Sequence, residues 1–257
     1  MPSKLLAVLA DPVFEKDDPR IVPGSSQTGG VTNSEQHPAS KDTREENEFL
    51  RSLTDTAIAD ETGRIRRLPF TRREAKSITK LVSGADQLEA LDFDANLPTA
   101  TSPAISQYRY LHFATHAILN SEHPELSGIV LSLVDKRGGE QDGFLKANEV
   151  YNLRLNAQLV VLSSCRTALG KEVKGEGLVG LTRGFMYARA ARVLASLWNV
   201  NDEATAQLMA HFYQDLLSGR QLSPAACLRT AQVRMMKMKK WQSPYYWAGF
   251  TLQGEPR

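Results

Sequence analysis

Two short runs constrain this chain more than anything else in it: Leu111-His-Phe-Ala-Thr-His116-Ala and Val160-Val-Leu-Ser-Ser-Cys165-Arg. Each opens as an apolar, strand-like stretch, the pattern of a strand covered on both faces in a parallel sheet. Each also ends on a side chain able to carry acid–base or nucleophilic chemistry. In an open parallel sheet the carboxyl ends of adjacent strands line one crevice. Two such strands would therefore bring an imidazole and a thiol together, the minimum equipment for thiolate attack on a carbonyl.

The rest of the chain reads as the frame of such a sheet. Leu5 to Leu9, stopped by Asp11-Pro12, suits a doubly buried strand. Tyr108 to Thr115, Gly128 to Val134 and Gln158 to Ser163 read as strands, and Lys146 to Tyr151 as a short helix. The stripe Leu178, Leu181, Phe185, Ala188 has helical spacing and precedes a strand from Arg192 to Trp198. Strand, helix and strand in that order demand a right-handed parallel crossover. Asp202 to Leu217 carries Leu208, Phe212 and Leu216 on one helical face, and Ser223-Pro224 opens a helix with Leu228, Ala231, Met235 and Met238 inward. Tyr246 to Leu252 reads as a closing strand. Upstream, Thr71-Arg-Arg-Glu74 has the spacing of a capping box and predicts a helix starting near Thr71. Residues 49–59 are modestly amphipathic, residues 84–107 give no pattern, and residues 15–48 hold little to bury, which predicts a disordered or excursion loop.

A chain of 257 residues fits one large α/β domain, and a net charge of +2 sets up no field toward nucleic acid or anionic lipid. Cys165 and Cys227 are the whole cysteine complement, with no CxxC, no P-loop lysine and no His-Glu-x-x-His, so neither metal nor cofactor is expected. The first apolar run is too short for a signal peptide and no later one approaches the roughly 20 residues of a membrane span. A soluble, cytoplasmic protein without membrane or nucleic-acid partners is the expectation.

Within the site, His116 ends its strand and is the better base; His112 lies inside the same strand, where a histidine is usually a satisfied core or surface group. His123 sits in a turn, and His211 and His37 have no strong claim. Cys165 has the guanidinium-bearing Arg166 beside it, which favours a thiolate, whereas Cys227 amid Ala225, Ala226 and Leu228 reads as core. Histidine precedes cysteine by about 50 residues, the order and spacing of the caspase class. Gly175-Glu-Gly177-Leu-Val-Gly180 matches a dinucleotide fingerprint in letters, but it does not open directly from its strand and reads as a turn and helix start. Arg234, Lys237, Lys239 and Lys240 near Trp241 read as the solvated side of an amphipathic helix.

These residues carry a resemblance. His112-Phe-Ala-Thr-His116-Ala, Glu122-His-Pro-Glu-Leu-Ser-Gly128, Asp142-Gly-Phe-Leu, Leu162-Ser-Ser-Cys165, Gly175-Glu-Gly-Leu-Val-Gly180 and Ala195-Ser-Leu-Trp-Asn-Val-Asn-Asp202 are similar, in order, to the motifs of CHAT domains. These are caspase- and separase-like peptidases often joined to tetratricopeptide repeats. The likeness is weak over residues 1–11 and strong over about 65–254. It implies a single domain over 1–257 with a caspase-like three-layer sandwich, a mostly parallel central sheet flanked by helices. It further implies an endopeptidase with a His116–Cys165 dyad and an oxyanion held by the backbone N–H groups of Ala117 and Cys165. The family usually has glycine after the histidine; a methyl group there would cost on the order of 1 kcal/mol if the position needs positive φ. Asp202 is similarly placed to the acidic wall of the separase specificity pocket, which would favour a basic residue before the cut bond; an N-cap role for Asp202 competes with that reading. The implied partners are a protein or peptide substrate and a regulatory repeat-containing protein. The alternative is a catalytically degenerate domain that keeps the fold and acts as an interaction or signalling module.

Overall fold

The computed structural model describes residues 2–22, 58, 64–119, 127–167 and 176–255, with backbone alone at residues 119, 164–167 and 176–179. Its sheet runs β2-β1-β3-β6-β7-β8. The strands are β1 (Lys4–Pro12), β2 (Gln87–Asp92), β3 (Tyr108–Leu119), β6 (Leu159–Thr167), β7 (Arg192–Ser196) and β8 (Phe250–Gly254). The pairings from β2 through β7 are parallel, and only β8 closes the edge antiparallel. Two short strands, β4 (Gly128–Val130) and β5 (Phe144–Lys146), extend antiparallel from the carboxyl end of β3.

Helices cover both faces. On one side α1 (Pro69–Thr79), α5 (Asp202–Leu216) and α6 (Pro224–Lys237) pack Ile78, Leu208, Phe212, Ala231 and Met235 against Leu6, Val8, Val161 and Leu194. On the other side α2 (Leu97–Thr101), α3 (Ala147–Asn152) and α4 (Glu176–Tyr187) supply Ala100, Val150, Leu181 and Phe185 against Leu9, Leu111, Phe113, Val160 and Leu162. Alternate residues of one strand thus serve opposite cores, which is why the strands read as unbroken apolar runs. The expected three-layer arrangement around a mostly parallel sheet is the observed one.

Several local expectations need correction. The helix expected near Thr71 starts at Pro69, because proline is pre-organised for a first turn. No side chain caps it: Thr71 turns back to the Leu68 carbonyl, and Glu74 is drawn into the core instead. The strand expected over Gly128 to Val134 ends at Val130, after which Val134 only bridges to Glu140. The closing strand begins at Phe250, since Pro244–Tyr246 forms a 3₁₀ turn. β7 stops at Ser196. Residues 84–107, which show no sequence pattern, hold β2 and α2, a partly exposed strand and a five-residue helix. Of the expected loop 15–48, residues 15–22 are described and anchored through Arg20; residues 23–48, and residues 49–59 apart from the buried Ile58, lie outside the described residues.

Two glycines of the motifs follow from close backbone approach rather than from backbone angle. A Cβ on Gly128 would stand 2.5 Å from the Leu145 carbonyl oxygen and 2.7 Å from the Phe144 ring. One on Gly143 would stand 2.4 Å from the Ser132 carbonyl oxygen. Each glycine lets the β4 and β5 sides of the ribbon approach each other closely.

Candidate active site

The site lies in the carboxyl-terminal parts of β3 and β6, which run on past His116 to Leu119 and past Cys165 to Thr167, so neither residue ends its strand as expected. Their parallel register runs Leu111 to Val160, His112 to Val161 and Phe113 to Leu162, then slips by one residue so that His116 lies beside Ser164 and Ala117 beside Cys165. The extra residue on β3 is a bulge, a device that re-aims side chains near functional centres. His116 and Cys165 are therefore one register step apart on neighbouring strands; about 4.8 Å between strands and 3.3 Å per residue put their Cα atoms ~6 Å apart. The backbones of the two residues expected to act together thus lie near one rim of the sheet, one register step apart.

His116 is fully buried. Its ring packs at 5.6 Å against Phe14, and Nε2 stands 2.6 Å from the backbone carbonyl of Arg66. A carbonyl oxygen can only accept, so Nε2 carries the proton and, in the neutral ring, Nδ1 carries the lone pair. That is the tautomer a general base presenting Nδ1 requires.

Ala117 does not have the positive φ that would have made its methyl group costly; the left-handed non-glycine residues among those described are Asp11, Asp92, Arg189 and Gln221. It lies extended in β3 between Ile129 of β4 and Cys165 of β6. Alanine in place of the family's usual glycine is thus accommodated without backbone strain, and Ala117 is the register partner of Cys165.

Asp202 is the first residue of α5, but it is not the cap. Asn201 takes that role, its side-chain oxygen accepting the Ala204 N–H at 3.0 Å. The N-cap reading of Asp202 is corrected accordingly. Its Oδ2 instead accepts the backbone N–H of Phe70 at 3.0 Å, where α1 begins. Residues 66–70 therefore form a strap that touches His116 at one end and Asp202 at the other.

The strap is held from beneath by charges that the sequence reading passed over. Asp11, fully buried at the end of β1, accepts from Nε and Nη2 of Arg67 at 2.8 and 2.7 Å and from Nε of Arg72 at 2.7 Å. Arg20 reaches the Asp11 carbonyl, Asp18 and Asp92, and Arg72 also pairs with Asp92. Hydrogen bonding to Asp11 raises the Arg67 guanidinium above its ordinary value. Burial works against the charge of Arg20, yet its bonds to Asp18 and Asp92 outweigh that and hold it higher still. The signal available in the sequence was the density of arginines at 64, 66, 67, 72 and 73 opposite Asp11-Pro12.

Other candidates separate cleanly. His112 is core: Nε2 meets Glu74 at 2.6 Å and Nδ1 meets the Tyr213 hydroxyl at 3.1 Å, all three buried. Cys227 is buried, and burial pushes its thiol up to about 11. Burial lowers His211 on α5. His37 and His123 lie outside the described residues, as does Gly175, while Glu176 opens α4. Lys237, Lys239 and Lys240 are exposed as expected, Lys240 pairing with Glu203 and lying over the Trp241 ring, whereas Arg234 turns to the buried Asp215. Among the described residues no cluster of His, Cys, Asp and Glu could hold a metal ion, and no helix is long and apolar enough to cross a membrane.

Comparison with known proteins shows what the chain is similar to. A stretch of 110 residues is 43% identical to mouse tetratricopeptide repeat protein 28, and 114 residues are 39% identical to the human protein of the same name. These stretches cover 43% and 44% of this chain but only 4% of either relative. Among solved structures, the Arg specific cysteine proteinase gingipain R superposes with a TM-score of 0.48 at 9% identity, over 99% of this chain and 46% of that one. The CHAT domain family model matches residues 3–255, nearly the whole chain. The chain belongs to the CHAT domain family.

Proposed function

We propose that this domain is a cysteine endopeptidase. The observation that supports the reading is the β3–β6 register, which brings the backbones of the buried, carbonyl-tethered His116 and of Cys165 to adjoining positions near the carboxyl rim of the sheet. Cys165 Sγ attacks the scissile carbonyl carbon and its proton passes to Nδ1 of His116. The oxyanion of the tetrahedral intermediate is received by the amides of Ala117 and Cys165. His116 then returns the proton to the leaving amine, the C–N bond breaks, and water hydrolyses the thioester with His116 as base. Asp202 forms the acidic wall that selects lysine or arginine before the cut bond, because a carboxylate in a partly dry pocket rewards a cation and penalises a neutral group. The substrate is a protein or peptide in the cytoplasm. A repeat-containing regulator is the further partner, a reading supported by the tetratricopeptide repeat proteins among the relatives.

Incubating the protein, Cys165→Ala and His116→Ala with a peptide library and sequencing the cut ends tests the reading. Cleavage is expected only from the parent chain, with lysine or arginine at the cut, and Asp202→Asn should lower that preference by about 10- to 100-fold, the worth of a charged hydrogen bond. Cleavage retained in Cys165→Ala removes the proposal. A chain that binds partners but labels no thiol with an arginine-ended reactive peptide is instead the degenerate interaction module.

A further inference from the structure

We propose that Asp11 and Arg67 are positioning residues for His116, acting through the strap 66–70; this rests on the reading of His116 as the proton carrier for Cys165. Along the strap Arg66, Arg67 and Pro69 are exposed and Leu68 is buried, and the Arg66 N–H donates to the Ile58 carbonyl at 2.9 Å. An exposed extended segment samples many backbone states, and fixing each residue costs about 1–2 kcal/mol. Yet its first carbonyl, on Arg66, makes a 2.6 Å contact with a fully buried ring. The residue immediately after that carbonyl is Arg67, whose guanidinium is gripped by both oxygens of Asp11 in the fork geometry that fixes direction as well as distance. Asp11 in turn is immobilised. It is fully buried, sits at φ +49° where a non-glycine residue persists only if its surroundings hold it, and is also bound by Arg72 and contacted by Arg20 at 3.3 Å.

The chain of cause runs from the end of β1, through a two-point ion pair, to the carbonyl that sets the His116 tautomer. Asp202 pins the far end through the Phe70 N–H. Arg67 is the better residue to remove, because its side chain is 40% exposed and Asp11 keeps Arg72 and Arg20 when it is gone. Removing Asp11 would instead take the carboxylate partner from Arg67 and one partner each from Arg20 and Arg72.

The test uses the full chain with ¹⁵N-labelled histidine and follows two readouts: the His116 Nε2–H resonance, and the pH profile of Cys165 alkylation by iodoacetamide, with buried Cys227 as the unlabelled control. Arg67→Ala is expected to lose or strongly broaden the Nε2–H signal and to shift the alkylation midpoint by at least half a pH unit, with a melting temperature close to the parent's. Arg67→Lys keeps the charge but not the fork and should fall between them. If Arg67→Ala keeps both the resonance and the profile, or lowers only the melting temperature, the positioning role is overturned. If His116→Ala leaves the Cys165 profile unchanged while Arg67→Ala still loses the Nε2–H signal, the peptidase reading fails and the strap's hold on His116 stands.

Discussion

Two histidines four residues apart on one strand have opposite fates, and their surroundings explain why. His112 lies before the bulge of β3, sealed between Glu74 of α1 and Tyr213 of α5. His116 lies after it, where β3 leaves the shelter of the helices and the strap supplies a carbonyl. A buried pair that loses one member leaves an uncompensated polar group, typically at a cost of about 3–5 kcal/mol when charge is involved. Glu74→Ala should therefore lower the unfolding free energy by about 3 kcal/mol or more in urea melts, whereas Tyr213→Phe should cost about 1 kcal/mol, one neutral hydrogen bond. The cysteines divide in the same way. With its thiol pushed up to about 11, Cys227 has only ~0.1% thiolate at pH 8, and the thiolate is the reactive form. Iodoacetamide at pH 8 should thus modify Cys165 alone in the folded protein, and both cysteines once urea unfolds it; mass spectrometry of the digested chain reads the difference.

At the scale of elements, the strands of the central sheet were legible because double burial writes an unmistakable apolar run, and the two long carboxyl-proximal helices because their stripes repeat at helical spacing. What was not legible depended on partners distant in sequence. Glu74 looks like the acid of a capping box until His112, brought in on β3, claims it. Asp202 looks like a cap until Asn201 takes the role and frees its carboxylate for Phe70. β2 escapes notice because an edge strand with partly exposed residues shows neither clean alternation nor a run. The site was half legible: His116 and Cys165 can be singled out from local sequence, although β3 and β6 run on past both, but the strap and its buried carboxylate cannot, since Asp11 and Arg67 are far apart in the chain and meet only after folding. The β4–β5 ribbon gives a direct check on the packing argument. In Gly128→Ala the new methyl would strike the Leu145 backbone oxygen, which cannot rotate away as a side chain could. Overpacking of this kind costs about 1–3 kcal/mol, so the variant should unfold at correspondingly lower urea while Gly84→Ala, whose Cβ meets nothing within 4 Å, should not.

Across the whole molecule, one charge cluster ties the ends of β1 and β2 to the start of α1, beneath the rim that carries the candidate site. Asp11, Asp18 and Asp92 face Arg20, Arg67 and Arg72, so the cluster is neutral only while its carboxylates are ionised. The Arg20 hydrogen bond holds the Asp18 carboxyl below its ordinary value of 3.8, with partial burial opposing. A carboxylate whose folded value is depressed adds stability that is present above the unfolded value and is lost as the pH falls through the folded one. The raised arginines work in the other sense: their contribution is complete at any pH below the ordinary arginine range and is lost only above it, so they add no slope in acid. Urea stability should therefore hold steady from pH 7 to about 5, then fall through pH 4 toward 3 as Asp18 is protonated. Asp18→Asn should flatten part of that acid slope while lowering stability at neutral pH.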